Sequence, residues 1–338
     1  MTYLKYIAKR LIQMIPVLWG VLTLTFFLSR LIPGNPVNPY LPLNHTYEQY
    51  LQMQHILGLD RPLHEQYVRY IADIFTGNWG ISSRVAKDVP VWDLIWERLP
   101  RTIDLSLFSI LIASYIGIKA GKISAKNRNK WKDTATRGIA LVGVSIPVFW
   151  LGMMFRYIFA IQLDILPGTN FKSGMYPDPP RVTGFRLIDS LISGEIYLAT
   201  DYLEHLILPV ACLALITLAS IVRQSRSSML EVLEQDYIRT ARAKGCREKD
   251  VINTHALKNA LIPTVTTIGL SFGALLGGAI LTETTFNLHG VGELIVVAIN
   301  DYDYYVLNAI IFFVAIMFLL INLITDMIYG YIDPRIRY

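Results

Sequence analysis

Six runs of apolar side chains, at roughly 11 to 31, 103 to 121, 138 to 161, 206 to 222, 264 to 282 and 306 to 328, dominate this 338-residue sequence. Each is close to or beyond the ~20 helical residues needed to cross a hydrocarbon core. A backbone inside lipid must satisfy its own hydrogen bonds, and helices do so within each run. The expected fold is therefore an all-α integral membrane protein with six transmembrane helices. A hydrophobic content of 53% against 17% charged residues is too apolar for an ordinary soluble domain.

Lys5, Lys9 and Arg10 precede the first run. A secretory signal opens in the same way, but this run is longer than a signal's apolar stretch and leads into S-R-L-I-P-G-N-P rather than a small-residue cleavage site. It is expected to remain as the first transmembrane helix, in a segment 1–32. Residues 33–100 turn polar, with Pro and Gly punctuation and short amphipathic pieces. Trp79, Trp92 and Trp96 with Ile71, Phe75 and Leu94 offer a modest core, so a small folded domain is expected between the first and second helices. Residues 101–338 hold the remaining five runs.

Orientation follows from the Lys/Arg bias of the connections. The 122–137 connection carries Lys122, Lys126, Arg128, Lys130, Lys132 and Arg137 against one acid, Asp133. By contrast, 284–305 has no base and three acids, Glu293, Asp301 and Asp303. The 163–204 connection has three bases and six acids, and 224–260 has seven bases and five acids. All four agree on cytoplasmic termini, an extracytoplasmic 33–100 region and a cytoplasmic stretch over 224–262.

That stretch has a pattern of its own. Ser228 and Glu231 have the spacing of a capping box, and Leu230, Leu233, Tyr237 and Ala241 recur at steps of three and four. This predicts a short amphipathic helix that Gly245 stops. A second short helix is predicted after it, with Glu248 and Asp250 in the first turn and an apolar stripe at Val251, Ile252, Ala256 and Ala260, before Pro263 leads into the fifth run. Two such helices joined at a glycine suit a rigid lever that another protein can push; a solvated loop is the plain alternative.

Y-I-R-T-A-R-A-K-G followed by H-A-L-K-N-A-L-I-P resembles the cytoplasmic EAA-type loop of ABC importer permeases, in the form used by dipeptide and oligopeptide permeases. Further wording typical of that family runs through almost the whole chain in order. It includes L-I-P-G-N-P after the first run, L-G-L-D-R-P, G-N-W-G and P-V-W-D-L-I-W-E-R-L-P in 33–100, S-I-P-V-F-W-L-G in the third run, H-L-I-L-P entering the fourth, and Y-I-D-P-R-I-R at the end. The resemblance implies a type I ABC importer permease fold in the cytoplasmic (inner) membrane and import of short peptides. Its implied partners are a homologous second permease in a heterodimer, two ABC ATPase subunits that bind ATP and Mg, and an extracytoplasmic solute-binding protein near the 33–100 region. Close relatives carry nickel or glutathione, which stay open as alternative cargo.

In that family the loop carries a coupling helix that docks in a groove of an ATPase. The resemblance therefore places coupling at Tyr237, Arg239, Thr240, Ala241, Arg242, Ala243, Lys244, Gly245, His255 and Ala256. This copy departs from the pattern six residues before the glycine, where Arg239 replaces the usual glutamate, and Thr240 follows in place of alanine. An acid-to-base contact with the ATPase is therefore not carried over.

Within the membrane runs, Gly269, Gly273 and Gly277 leave one face of the fifth helix nearly smooth, either for packing in its own bundle or for a second subunit and gating. Arg156 falls well inside the third run, where an unpaired charge is costly. Either it lines a water-filled pathway and meets an acidic group of the cargo, or its stem takes the charge to the headgroups or to an acid such as Asp104 or Glu283. Pro147 and Pro209 are candidate hinges, and Asn322 and Asp326 candidate interhelical or interfacial hydrogen bonders.

The formal charge of +5 does not point to nucleic acid, because the bases sit between apolar runs without interleaved aromatics and suit the membrane lipid surface instead. Cys212 and Cys246 imply no disulfide framework. The histidines form no H-x-x-x-H or H-x-x-E-H pattern and no G-x-x-x-x-G-K-[ST] loop occurs. No metal site, catalytic residue or cofactor is therefore expected in this chain, and any ATP must bind elsewhere, so a translocation subunit is expected rather than an enzyme. An ion-coupled secondary transporter would call for an inverted repeat and paired intramembrane carboxylates, and neither pattern is visible.

Overall fold

The computed structural model describes residues 3–31, 35 and 37–332. Parts of L-I-P-G-N-P (32–34 and 36) and of Y-I-D-P-R-I-R (333–337), with the segment boundary at 32, lie outside the described residues. Helix α1 (Tyr3–Leu31) is followed by α2 (Tyr47–Ile56), α3 (Leu63–Thr76), α4 (Val91–Lys126), α5 (Trp131–Ser145) and α6 (Val148–Phe155), the last extended by a π-helical stretch, Arg156–Gln162. Next come α7 (Arg186–Ile192), α8 (Ile196–Leu233), α9 (Asp236–Ala243) and α10 (Glu248–Asp250). A π-helical turn, Val251–Ala256, runs into α11 (Leu257–Gly278), and α12 (Ile280–Phe286), α13 (Val291–Asn300) and α14 (Tyr304–Ile332) complete the order.

Among the described residues, five helical segments are long and apolar enough to cross a membrane: Ile7–Leu31, Val91–Lys126, Ile196–Leu233, Glu248–Gly277 and Tyr304–Ile328. The third expected run is not a straight helix. Its two halves, Trp131–Ser145 and Val148–Gln162, meet at 98° and make a sixth span only if counted together. Pro147 explains the break, since it has no N–H to continue the ladder and it drives Ile146 into extended geometry at φ −90° and ψ 127°. Pro209 lies inside α8 and Pro263 inside α11 without ending either helix.

Small residues set the closest packing. A Cβ on Gly117 of α4 would come within 2.7 Å of Ile221 Cγ2, and one on Gly121 within 2.6 Å of Ser225 Cβ, so α4 and α8 approach nearly backbone to backbone. On α11, Gly269 faces Thr325, Gly273 faces Phe318 and Gly277 faces Val314, all on α14 of the same chain. The smooth glycine face is thus filled from within its own bundle. Asp326 of α14 pairs with Arg10 of α1 at 3.2 Å.

The polar region after α1 does not build a core of its own, contrary to expectation. Phe75 is 76% exposed, and Trp79 instead packs on Phe312 and Phe313 of α14 at centroid separations of 5.5 and 5.1 Å. Ile74 shares a buried cluster with Leu22 and Phe312, and Leu94 and Ile95 share one with Leu294 and Ile310. With this little chain to bury, the region must borrow apolar surface from the bundle. It is also clamped there. The buried Asp303 carboxylate accepts hydrogen bonds from Ser82 Oγ at 2.7 Å and from the N–H groups of Ser83 and Arg84 at 2.9 and 3.2 Å. Helix α4 begins at Val91, so the second span and the end of the expected 33–100 domain are one helix.

Candidate functional site

The elbow over 224–262 differs from its expected form at both ends. Ser228 caps nothing: α8 continues to Leu233, and the buried Ser228 hydroxyl accepts from Gln224 Nε2 at 3.0 Å inside that helix. The leucines at 230 and 233 belong to the end of α8. The short helix is α9, which starts at Asp236 after Gln235 turns extended at ψ 149°. Gly245 does terminate it, at φ +80°. There the Cys246 N–H donates to the Ala241 carbonyl at 3.2 Å and the Gly245 N–H to the Arg242 carbonyl at 3.0 Å, the bond pair of a Schellman cap. A Cβ at 245 would meet nothing within 4 Å, so the backbone alone calls for glycine.

The second short helix is not separate either. From Glu248 to Gly277 the chain is one helical segment, and Pro263 lies within it. The stripe of Val251, Ile252, Ala256 and Ala260 supplies the reason. It buries against α9 and α8 on the face that leads straight into the span, leaving no polar break at which to stop.

The seat of α9 is apolar. Ile238 and Ala241 pack with Met229 of α8, Ala125 of α4 and the Val251–Ala260 stripe. Tyr237, Arg239, Thr240, Arg242, Ala243, Lys244, Gly245 and His255 are exposed. Of the expected coupling positions, Ala241 and Ala256 are therefore buried in the seat, and the rest present a mostly polar face on which Arg239 pairs with Asp236 and Arg242 with Glu248. Arg242 joins α9 to α10 through Glu248, with contacts of 3.1 and 2.9 Å, and this bond holds its guanidinium above the ordinary arginine value. Asn259 Nδ2 donates to Tyr237 Oη at 2.7 Å. Exposed ion pairs of this kind contribute ~0–1 kcal/mol each, so the apolar seat and the cap carry the rigidity.

Below the elbow lies a group that sequence reasoning noted only as the lone acid of a basic connection. Asp133 of α5 is fully buried and takes a fork from Arg226 of α8, Nε at 2.7 Å and Nη2 at 2.9 Å. Ser124 Oγ of α4 adds a bond at 2.5 Å and the Asn129 N–H one at 3.0 Å. One carboxylate thus ties three spans together, in the bidentate geometry that gives Arg–carboxylate pairs their strength. Nearby, Arg128 pairs with Glu234 at 2.8 Å and Lys122 Nζ donates to Asn253 at 3.2 Å.

Arg156 sits at the start of the π-helical stretch, half-buried, and donates to the Thr285 carbonyl in the last turn of α12. Neither acid offered as its partner pairs with it. Asp104 accepts from Tyr202 Oη at 2.8 Å, and the buried Glu283 accepts from Thr102 Oγ1 at 2.7 Å and the Glu293 N–H at 3.0 Å. A helix-end carbonyl, which has no partner in its own helix, takes the place of the acid. Among the described residues no group of three or more His, Cys, Asp or Glu is placed to hold a metal ion.

Comparison with known proteins follows this architecture closely. The family model described as "Binding-protein-dependent transport system inner membrane component" matches residues 113–338, and its N-terminal companion matches residues 3–106. A dipeptide transport system permease protein DppB of Alkalihalophilus pseudofirmus is 46% identical over 99% of this chain and 100% of its own length. A di/tripeptide transport system permease protein DppB of Pseudomonas aeruginosa is 42% identical over 99% of both. In fold, the chain is similar to one from the inward-facing MetNI methionine ABC transporter, with a TM-score of 0.56 and 16% identity over 72% of this chain and 98% of that one.

Proposed function

Because this chain belongs to the family of binding-protein-dependent transport system inner membrane components, we propose that it is the permease subunit of an ATP-driven importer and forms half of the pathway for short peptides. Full-length relatives at 46% and 42% identity whose names specify dipeptides or di- and tripeptides support peptide cargo. The observation that carries the mechanism is the elbow: a short helix with an exposed polar face, seated on apolar side chains that join it to two spans and capped at Gly245.

In this reading the exposed face of α9, centred on Arg239, Thr240 and Arg242, docks in a groove of one ATPase subunit. A homologous second permease presents an equivalent elbow to the other ATPase, in a heterodimer. ATP binding closes the ATPases and draws the elbows together. The force enters α8 and α11 through the Met229–Val251 seat, and α4 and α5 through Arg226 and Asp133. A flexible joint at either place would dissipate it. The glycine face of α11 on α14 then serves as the surface along which the bundle reorganises. Arg156 would brace the α6–α12 corner beside the pathway. Lysine and arginine bias places the elbow and both termini in the cytoplasm, leaving the region after α1 outside, facing the solute-binding protein.

The test is uptake by proteoliposomes that hold the complete transporter, with the binding protein and a labelled dipeptide outside and ATP inside. Nickel and glutathione are offered in parallel. ATP-dependent dipeptide accumulation is expected. Accumulation of nickel or glutathione alone, or of any solute by this chain without nucleotide, would overturn the proposal.

A further inference from the structure

A cleft of about 190 Å³ opens between the end of α1, helix α3 and the first turns of α14. It lies at the opposite end of these spans from the elbow, at the level where α1 and α14 leave the apolar layer, and Tyr40, Trp79 and Tyr305 line it. Aromatic side chains of this kind are typical of the lipid headgroup level. Charge is present but unevenly spent. Arg30 donates only to neutral acceptors: Gln66 Oε1 at 3.2 and 3.3 Å, the Phe26 carbonyl at 3.2 Å and Ser29 Oγ at 3.3 Å. Asp73 has only a loose ion pair with Arg69, at 3.9 Å, and a bond from Asn78 at 3.1 Å.

Two further lining atoms, Tyr70 Oη and Asn308 Oδ1, are buried without a hydrogen-bond partner among the described residues. Groups buried unpaired are costly, and a polar ligand that reaches them removes the cost. The cleft therefore offers two cations, Arg30 and Arg69, an acid, two unpaired polar atoms and an aromatic wall in one small volume. Its position decides the ligand. Helix α1 packs chiefly on α14 and α3, so the cleft is at the rim of the bundle, away from the α4–α8 centre. The outward face of α1, opposite the buried Leu22 and Phe26, carries an exposed apolar ridge of Leu24, Phe27, Leu28 and Leu31, and the ridge comes within one turn of Arg30 at Phe27.

We propose that this cleft binds the headgroup of a zwitterionic phospholipid, with the phosphate on Arg30, the ammonium group on Asp73 and the acyl chains along the α1 ridge. Arginine meets phosphate with charge-assisted, directional bonds. The bound lipid fills the seam between the region after α1 and α14, and so holds the outer segment to the bundle.

The experiment takes the full-length chain in its complete transporter, delipidates it in mild detergent, and titrates back phosphatidylethanolamine, phosphatidylglycerol, glycerophosphoethanolamine or the dipeptide Ala-Ala. Native mass spectrometry reads the bound species. Phosphatidylethanolamine should be held most tightly, glycerophosphoethanolamine should compete weakly, and Arg30→Gln should lower retention of both lipids about tenfold. Asp73→Asn should erase the preference for ethanolamine over glycerol while leaving phosphatidylglycerol bound, a change in selectivity that a folding defect does not mimic. Equal retention by the wild type and Arg30→Gln, or unchanged headgroup preference in Asp73→Asn, would overturn the proposal. So would displacement by Ala-Ala at concentrations where glycerophosphoethanolamine has no effect, which would make the cleft a peptide site. If Arg30→Gln fails to assemble, the selectivity of Asp73→Asn decides alone.

Discussion

Substitution at Gly245 separates stiffness of the elbow from the chemistry of its surface. The residue sits at φ +80° with nothing within 4 Å of where a methyl group would stand, so Gly245→Ala introduces the backbone cost of a left-handed L-residue and no clash. That cost is about 1–2 kcal/mol. Asparagine tolerates the left-handed region better, so Gly245→Asn should cost less. Proline is held near φ −65° and also deletes the N–H that Gly245 gives the Arg242 carbonyl, for a cost of about 3 kcal/mol or more. If an intact cap is what the ATPase binds, 1.4 kcal/mol per tenfold converts these costs into affinity, giving about five- to thirty-fold weaker association for alanine and over about a hundredfold for proline. The assay is titration of the ATPase subunit onto the permease pair in nanodiscs, with membrane insertion of each variant verified first. The expected order of affinity is Gly, then Asn, Ala and Pro. Wild-type affinity in an inserted Gly245→Pro protein would refute the rigid elbow. So would equal losses in Asn and Ala, since side-chain bulk on the docking face would then be deciding rather than backbone geometry.

Arg226→Ala leaves the buried Asp133 carboxylate with Ser124, the Asn129 N–H and a longer ion pair to Arg137 at 3.5 Å, and should cost about 3 kcal/mol; adding Asp133→Asn should recover part of it, as read from thermal unfolding in detergent. Gly269→Ala puts a Cβ about where Thr325 Oγ1 already is, at 2.0 Å, whereas Gly277→Ala meets Val314 at an ordinary 3.4 Å. The first should cost roughly 1–3 kcal/mol and the second far less, visible as the monodisperse fraction after extraction. Arg156→Ala should reduce the yield of assembled protein by freeing the Thr285 carbonyl, at roughly 1–3 kcal/mol, without altering the charge preference among dipeptides in an uptake competition.

Much of this architecture was legible in the apolar runs because length and composition alone mark a helix that must satisfy itself in lipid. The stop at Gly245 was legible for a similar reason: a glycine after a basic turn has a local meaning that survives tertiary context. The Ser228 start was not, because capping-box spacing also occurs by chance inside a long helix, and burial of Ser228 against the bundle decides the matter. The same holds for the separate second helix, since no local signal distinguishes a short amphipathic stripe from the first turns of a span. Pro147 and Pro209 were both candidate hinges, and Pro263 marked the entry to the fifth run. Only Pro147 stands where the chain turns by 98°, and Pro263 is carried by a helix already packed on α14 and α8.

Asp133 shows what kind of signal was missed and why it bears on coupling. In sequence it is one acid among six bases, which reads as a solvated loop with a positive-inside bias. In the fold the single acid is withdrawn to meet one distant arginine, 93 residues on, with Arg137 of the local cations beside it at 3.5 Å. Isolating an acid among cations is a way to bury a carboxylate without repulsion, and the partner it selects lies on α8, ten residues before α9 begins. The elbow is tied by apolar contacts to the helices that flank it and to Ala125 of α4, and a charge ties α8 to α5 and α4. In the proposed coupling, Asp133 would carry motion of α8 to α5, the half of the broken span that ends just before Pro147. The 98° bend between α5 and α6 is thus in series with the surface that the ATPase is expected to push.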